Sequence, residues 1–217
     1  MNYNTVLFDL DGTLIDPYEG ISNTILHVLE QFGDEKLSSE VLVKFIGPPL
    51  IEGFKMFAGY DDKKARKALE IYRESYIKKG VYEATLTEGV RPLLAALSKA
   101  GVRLGVATSK PDIMTEIILK HFSVYDYFEF ISAAELSPDG RNEKSPIIAY
   151  ALENMKISGD ELKKTVIIGD RHHDVSGAKD NGIACVGLLS GFGNRAEFAD
   201  ADYIIDEIAE LEKIVLA

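Results

Sequence analysis

The 217-residue chain has a single cysteine and no tryptophan. It also has no apolar run approaching the roughly eighteen residues that a membrane span needs. One cysteine excludes an internal disulfide and suits a reducing, cytoplasmic setting. That residue, Cys185, sits in the apolar run IACVGLL, which marks a buried, inert thiol rather than a nucleophile. The N-terminal stretch lacks a basic lead segment and its first apolar run is broken by Asp9, so it does not read as a signal peptide. Positive charge is scarce: 24 basic residues face 35 acidic ones, for a net charge of −11. Such a surface repels phosphate backbones and anionic lipids, which disfavours nucleic-acid and membrane partners but leaves room for one local positive pocket. Low-complexity tracts and internal repeats are missing, and glycine and proline are spread out.

What is present fits a globular protein: 46% of residues are apolar and 27% charged. Short continuous apolar runs alternate with helical patterns. The runs are VLFDL (6–10), VRLGVAT (102–108), YFEFIS (127–132), TVIIGD (165–170), IACVGLL (183–189) and DYIID (202–206). The helical candidates between and after them are 89–100, 112–121, 144–154, 173–181 and 207–216. The first has Arg91 and Pro92 in its opening turn and Gly101 just past its end. Continuous rather than alternating apolar strands, separated by helices, predict an α/β fold, a doubly wound parallel sheet of Rossmann-like type covered on both faces.

Residues 17–84 break that rhythm. ISNTILHVLEQFG, SSEVLVKFIG, LIEGFKMFAGY and KKARKALEIYRESYIKKG are helix-like and contain no convincing strand. The expected organisation is a core of 1–16 and 85–217 interrupted by an all-helical insert, 17–84. Its expected hinges are Asp16-Pro17 and the polar stretch TLTEG at 85–89. Such an insert over a sheet places a cleft between two bodies, where active sites commonly lie.

In an open parallel sheet, ligands bind beyond the carboxyl ends of the strands. The polar residues at those ends are Asp9 and Asp11, then Thr108, Ser109 and Lys110, then Asp170 and Asp174, with Lys144 opening the helix before the fourth long strand. They come from separate segments and are expected to converge on one edge. Clustered carboxylates repel one another unless a cation sits among them. An all-oxygen set without a suitable His or Cys ligand favours Mg²⁺. Lys144 and the Thr108 hydroxyl suit phosphate oxygens, helped by backbone N–H groups near helix starts. A metal and a lysine together would neutralise a phosphoryl group so that a carboxylate nucleophile could approach it. A second carboxylate two residues on can act as acid and base.

DLDGTLID (9–16), the T-S-K after the second strand, E-K-S-P around Lys144 and GDRHHD at 169–174 together resemble the haloacid dehalogenase superfamily. Within it the chain is similar to phosphoglycolate phosphatase-type members with a small helical cap. The resemblance spans essentially the whole length, with the motifs in order. It implies a phosphatase that acts on a small phosphorylated metabolite through an aspartyl-phosphate. Asp9 would be the nucleophile. Asp11 would protonate the leaving alcohol and then activate water, its carbonyl also on Mg²⁺. Asp9 and Asp170 would complete the protein metal ligands and Asp174 would brace the site. Thr108, the Ser109 N–H and Lys144 would bind the phosphoryl group. A monomer or homodimer is expected.

The departures are informative. The lysine motif reads K-S-P rather than K-P-x-P, and the amine is kept. Arg171 stands where many relatives have serine, which suggests a salt link or a cap contact. The related phosphosugar mutases carry a histidine where this chain has Ile21, and a cap arginine where it has GPPL (47–50); a 5′-nucleotidase or sugar-phosphate phosphatase is the nearer alternative. Among other features, Asp174 could serve only as an N-cap, Thr108 could be a helix cap, and Asp16 reads as a hinge. His172 and His173 read as loop-surface histidines, and GFGNRA (191–196) as a loop beside the site rather than a dinucleotide fingerprint.

Overall fold

The computed structural model describes residues 1–137 and 140–217. The chain divides into two compact units, one made of Met1–Ile15 and Leu86–Ala217, the other of Asp16–Thr85. Along the chain run strands β1 (Thr5–Phe8) and β2 (Ile15–Asp16), then helices α1 (Tyr18–Phe32), α2 (Ser39–Leu42), α3 (Leu50–Ala58) and α4 (Asp62–Lys78). Strand β3 (Thr85–Leu86), helix α5 (Val90–Lys99), strand β4 (Arg103–Pro111), helix α6 (Asp112–His121) and strand β5 (Phe130–Ala134) follow. Helix α7 (Lys144–Asn154), strand β6 (Thr165–Gly169), helix α8 (His172–Asn181), strands β7 (Ala184–Leu188) and β8 (Tyr203–Ile205) and helix α9 (Leu211–Leu216) complete it.

Six strands form one sheet in the order β5-β4-β1-β6-β7-β8. Every pairing in it is parallel, with Phe8 beside Val106 on one side and Ile168 on the other. β1 is fully buried, as its run of four apolar-compatible residues requires. Leu7, Ile167 and Cys185 point to the face covered by Ile147, Ile148 and Ala151 of α7 and Val175 and Ala178 of α8. Val6, Phe8, Val166, Ile168 and Val186 alternate to the other face and are fully buried too, so both faces are covered. Burying each such side chain contributes about 1.5–3 kcal/mol. The strand order reverses at β1, and at a reversal the crevice beyond the carboxyl ends opens for a ligand.

The second unit is helical: α1 to α4 with short 3₁₀ turns at Val43–Phe45 and Gly80–Tyr82. Helices α6 and α7 occupy the residues their periodicity predicts. Several boundaries differ from expectation, among them β5, which starts at Phe130 rather than 127, and β1, which ends at Phe8 rather than 10. TLTEG, expected as a hinge loop, gives Thr85 and Leu86 to β3, which pairs with β2. β4 runs on through Thr108, Ser109 and Lys110 to Pro111, with a shift of register between Thr108 and Pro111. α8 begins at His172, so the two histidines lie in its first turn rather than a loop. Residues 207–210 form a 3₁₀ turn before α9 instead of its first helical turn. Among the described residues no helix is long and apolar enough to cross a membrane.

Candidate active site

The carboxyl ends of β1, β4 and β6 bring the expected polar residues to one edge of the sheet. Asp9 follows β1 directly, its N–H donating to the Ile168 carbonyl at 2.9 Å. Its Oδ1 accepts from the Leu10 N–H at 2.7 Å and from Lys144 Nζ at 2.8 Å. Its Oδ2 accepts from no donor among the described residues, so one oxygen is anchored and the other is free to react. Asp170 follows β6 and Asp174 lies in the first turn of α8. One carboxylate oxygen from each of Asp9, Asp170 and Asp174 lies within 4.8 Å of the others, and all three residues are buried.

Lys144 stands among them. It opens α7, and its Nζ pairs with Asp9 Oδ1 and Asp174 Oδ1, each at 2.8 Å, and donates to the Ala107 carbonyl at 3.1 Å. It is thus held by two ion pairs and one hydrogen bond, and it presents a fixed positive charge. Burial works against that charge, but Asp174 and Asp9 more than offset it and hold the ammonium above the ordinary lysine range. Three buried carboxylates to one ammonium leave negative charge uncompensated. Burial drives the Asp170 carboxyl well above the usual range, with Asp9 and Asp174 adding to the effect. Burial also pushes Asp174 up to about 6, Lys144 pulling the other way and Asp9 adding. An all-oxygen cluster that cannot hold its own charges comfortably fits a hard divalent cation.

Asp174 is not the N-cap of α8. Arg171 holds that position, and Asp174 at N3 returns Oδ2 to the Arg171 N–H at 3.1 Å. With Oδ1 on Lys144, both of its oxygens serve to brace the lysine and the helix start. Thr108 is no helix cap either, because Pro111 precedes α6. Its hydroxyl is buried and accepts from the Lys110 N–H at 3.2 Å. Ser109 alternates to the exposed side of the strand, so only its backbone is suited to the role expected of it.

Gly12, at φ +77°, turns the chain between the acids; a Cβ there would overlap the Asp170 carboxylate. Asp11 is partly exposed and meets Lys110, a strand-end residue expected at this edge but assigned no role of its own from sequence. Lys110 Nζ lies 2.9 Å from both of its carboxylate oxygens. Burial holds the Asp11 carboxyl above the usual range while Lys110 draws it down. GFGNRA also has a definite task. The Phe192 N–H donates to Asp170 Oδ2 at 2.8 Å, and a Cβ at Gly191 would collide with Asp170 and the Gly12 carbonyl. Gly191 and Gly193 let the backbone of that loop lie against Asp170.

Arg171 makes a salt link, its Nε 3.1 Å from Glu197 Oε2. His172 Nδ1 lies 3.0 Å from the same oxygen. Burial would raise the Glu197 carboxyl, but His172 and Arg171 hold it down at about 2. Glu197 carries no sequence signal of its own. Both histidines are exposed and stand outside the carboxylate cluster. Cys185 is buried and its thiol is pushed up, first by burial.

Comparison with known proteins points one way. The family model described as haloacid dehalogenase-like hydrolase matches residues 6–188. A 5′-nucleotidase of Pseudomonas aeruginosa is 39% identical over 91% of this chain and 87% of its own length. A phosphoglycolate phosphatase of Pseudomonas fluorescens is 31% identical over 95% of this chain and 77% of its own. The crystal structure of a predicted phosphatase from Clostridium acetobutylicum superposes with a TM-score of 0.88 at 38% identity, covering 100% of this chain and 99% of that one.

Proposed function

This chain belongs to the haloacid dehalogenase-like hydrolases and is a phosphatase of that family, and we propose that it cleaves a small phosphomonoester through a phosphorylated Asp9. The observation that carries the reading is the state of Asp9: Oδ1 is pinned by Lys144 and the Leu10 N–H, while Oδ2 has no donor among the described residues.

Asp9 and Asp170 through their side chains, and Asp11 through its carbonyl, would hold Mg²⁺. When bound, the ion supplies the positive charge that an incoming phosphate dianion needs. Lys144, held by Asp9, Asp174 and the Ala107 carbonyl, adds a fixed charge beside the nucleophile. Thr108 and the Ser109 backbone bind the phosphoryl oxygens. Asp9 Oδ2 attacks phosphorus as the ester P–O bond breaks, and Asp11 gives its proton to the departing alcohol. Water then attacks the phosphorus, Asp11 takes a proton from it, and the Asp9–phosphorus bond breaks to release inorganic phosphate.

Residues 17–84 are the helical cap domain in this reading and set specificity. Phosphoglycolate-type substrates follow from the motifs, and the higher identity to a 5′-nucleotidase makes nucleoside 5′-monophosphates the first alternative. Asp9→Asn is expected to lower turnover on the order of 10⁴-fold or more, the scale seen when a covalent nucleophile is lost. EDTA is expected to abolish phosphate release and Mg²⁺ to restore it. Full activity in either case would end the proposal. A screen of phosphoglycolate, sugar phosphates and nucleotides, read by phosphate release, ranks the substrates.

A further inference from the structure

Lys110 is a buried lysine whose ammonium meets a carboxylate by both of its oxygens. It comes from the bulged end of β4, 99 residues away from Asp11 in sequence, and its Nζ meets the two oxygens of Asp11 at equal distances of 2.9 Å. Its side chain is 5% exposed against 24% for Asp11. Its backbone is tied on both sides: the N–H donates to Thr108 Oγ1 at 3.2 Å, and the carbonyl accepts from Thr115 Oγ1 at 3.3 Å. A buried ammonium carries a desolvation penalty of several kcal/mol, so an apolar residue would serve packing alone at least as well.

Asp11 sits in the turn beyond β1, its backbone bridged to Ile15 and its side chain partly open to solvent. Gripping both oxygens fixes the plane of the carboxylate as one contact could not. The leaving oxygen is already tied to the phosphorus, whereas an attacking water is placed only by the groups around it, so a fixed carboxylate plane counts for most when water is the partner. That is the requirement of the second half-reaction rather than the first.

We infer that Lys110 is a positioning residue that holds the Asp11 carboxylate in place to take the proton of the water that cleaves the phosphoenzyme. The inference rests on the aspartyl-phosphate reading above. In the step concerned, a water oxygen bonds to phosphorus, the Asp9–phosphorus bond breaks, and the water proton passes to Asp11.

p-Nitrophenyl phosphate separates the two halves, because its leaving group departs without a proton. With this substrate, Lys110→Met is expected to release the first equivalent of nitrophenolate at close to the wild-type rate and then turn over about tenfold more slowly or worse, within the range general base catalysis supplies. Labelled phosphate should accumulate on Asp9 in acid-quenched protein. Lys110→Arg should recover part of the turnover. In an Asp11→Asn background, adding Lys110→Met should change turnover by less than about twofold, because the two residues act as one unit. Lys110→Gln, which keeps a donor, serves if the methionine variant does not fold. Equal slowing of burst and turnover, or independent multiplicative losses in the double variant, overturns the inference while leaving the labelled Asp9 intact. Absence of label from Asp9 in wild-type and Asp11→Asn protein alike overturns the aspartyl-phosphate reading, and this inference with it.

Discussion

At the carboxyl edge of the sheet, Asp9, Asp170 and Asp174 are buried together against one ammonium, Lys144. In the helical unit, Asp34 shares its charge differently. It accepts from Lys64 Nζ at 2.7 Å and from the Tyr60 hydroxyl at 2.5 Å, in a partly exposed position just after α1. Lys64 also lies 4.0 Å from the centroid of the Tyr60 ring and 5.0 Å from that of Phe32. One region gathers more negative charge than it can satisfy; the other balances each charge as it appears. Burial drives the Asp170 and Asp174 carboxyls up, whereas hydrogen bonds from Lys64 and then Tyr60 hold Asp34 below its usual range. The sheet edge keeps electrostatic tension for a ligand, and the helical unit spends its charges on pinning the end of α1 to the start of α4.

The harshest way to break this contrast is to remove the cation from the crowded side. Lys144→Met leaves two buried carboxylates without the partner they now have. It is expected to lower unfolding free energy by about 3–5 kcal/mol, the scale of a broken buried ion pair, and to remove phosphatase activity. Adding Asp174→Asn should restore part of the stability in denaturant titrations and none of the activity. Recovery of both would mean that Lys144 has no role beyond charge balance.

A milder test uses protons in place of mutations. Asp174 has a native value of about 6 against an unfolded one of about 3.9. Between these values the native state binds more protons than the unfolded chain, so stability falls as pH rises. Metal-free protein should therefore gain thermal stability as pH drops from neutral toward about 5. Saturating Mg²⁺ should flatten or reverse that slope by favouring the ionised carboxylates. The melting midpoint with EDTA and with Mg²⁺, taken across this range, checks both; identical slopes would remove the cation from the picture.

The sequence made some of this arrangement legible, and the reason is locality. Continuous apolar runs and helix start signals are read within a window of a few residues, so α6 and α7 appear where periodicity puts them. The strand ends then dictate that Asp9, Asp170 and Asp174 meet, because a parallel sheet aligns its carboxyl ends. What stayed hidden depends on partners far along the chain or on backbone atoms. Lys110 looks like any lysine after a strand until the bulge in β4 turns it toward Asp11. The Phe192 N–H that holds Asp170 belongs to a loop whose composition suggests only flexibility, and the Glu197 carboxylate that gathers Arg171 and His172 comes from the 3₁₀ turn Arg195–Phe198 after it. Arg171 as N-cap was invisible because arginine rarely takes that place.

The smallest effect is expected on the balanced side, and it should carry the opposite sign with pH. Asp34→Asn keeps the hydrogen bond from Tyr60 and removes the charge that Lys64 answers. Because the native Asp34 carboxyl is held low, its contribution is fully present above the ordinary aspartate range and is lost as pH falls through it. The variant should melt slightly lower than the parent near neutral pH, and the gap should close on acidification, where the parent's Asp34 takes up its proton. Turnover of a small substrate such as p-nitrophenyl phosphate should change little, since the pair lies within the helical unit and ties α1 to α4. Added salt should shrink the gap at neutral pH as well, because the pair is partly exposed and screened. Melting curves of the two proteins across pH and salt decide the matter. A gap that widened on acidification would mean that Asp34, like the carboxylates at the sheet edge, is held under strain rather than in balance.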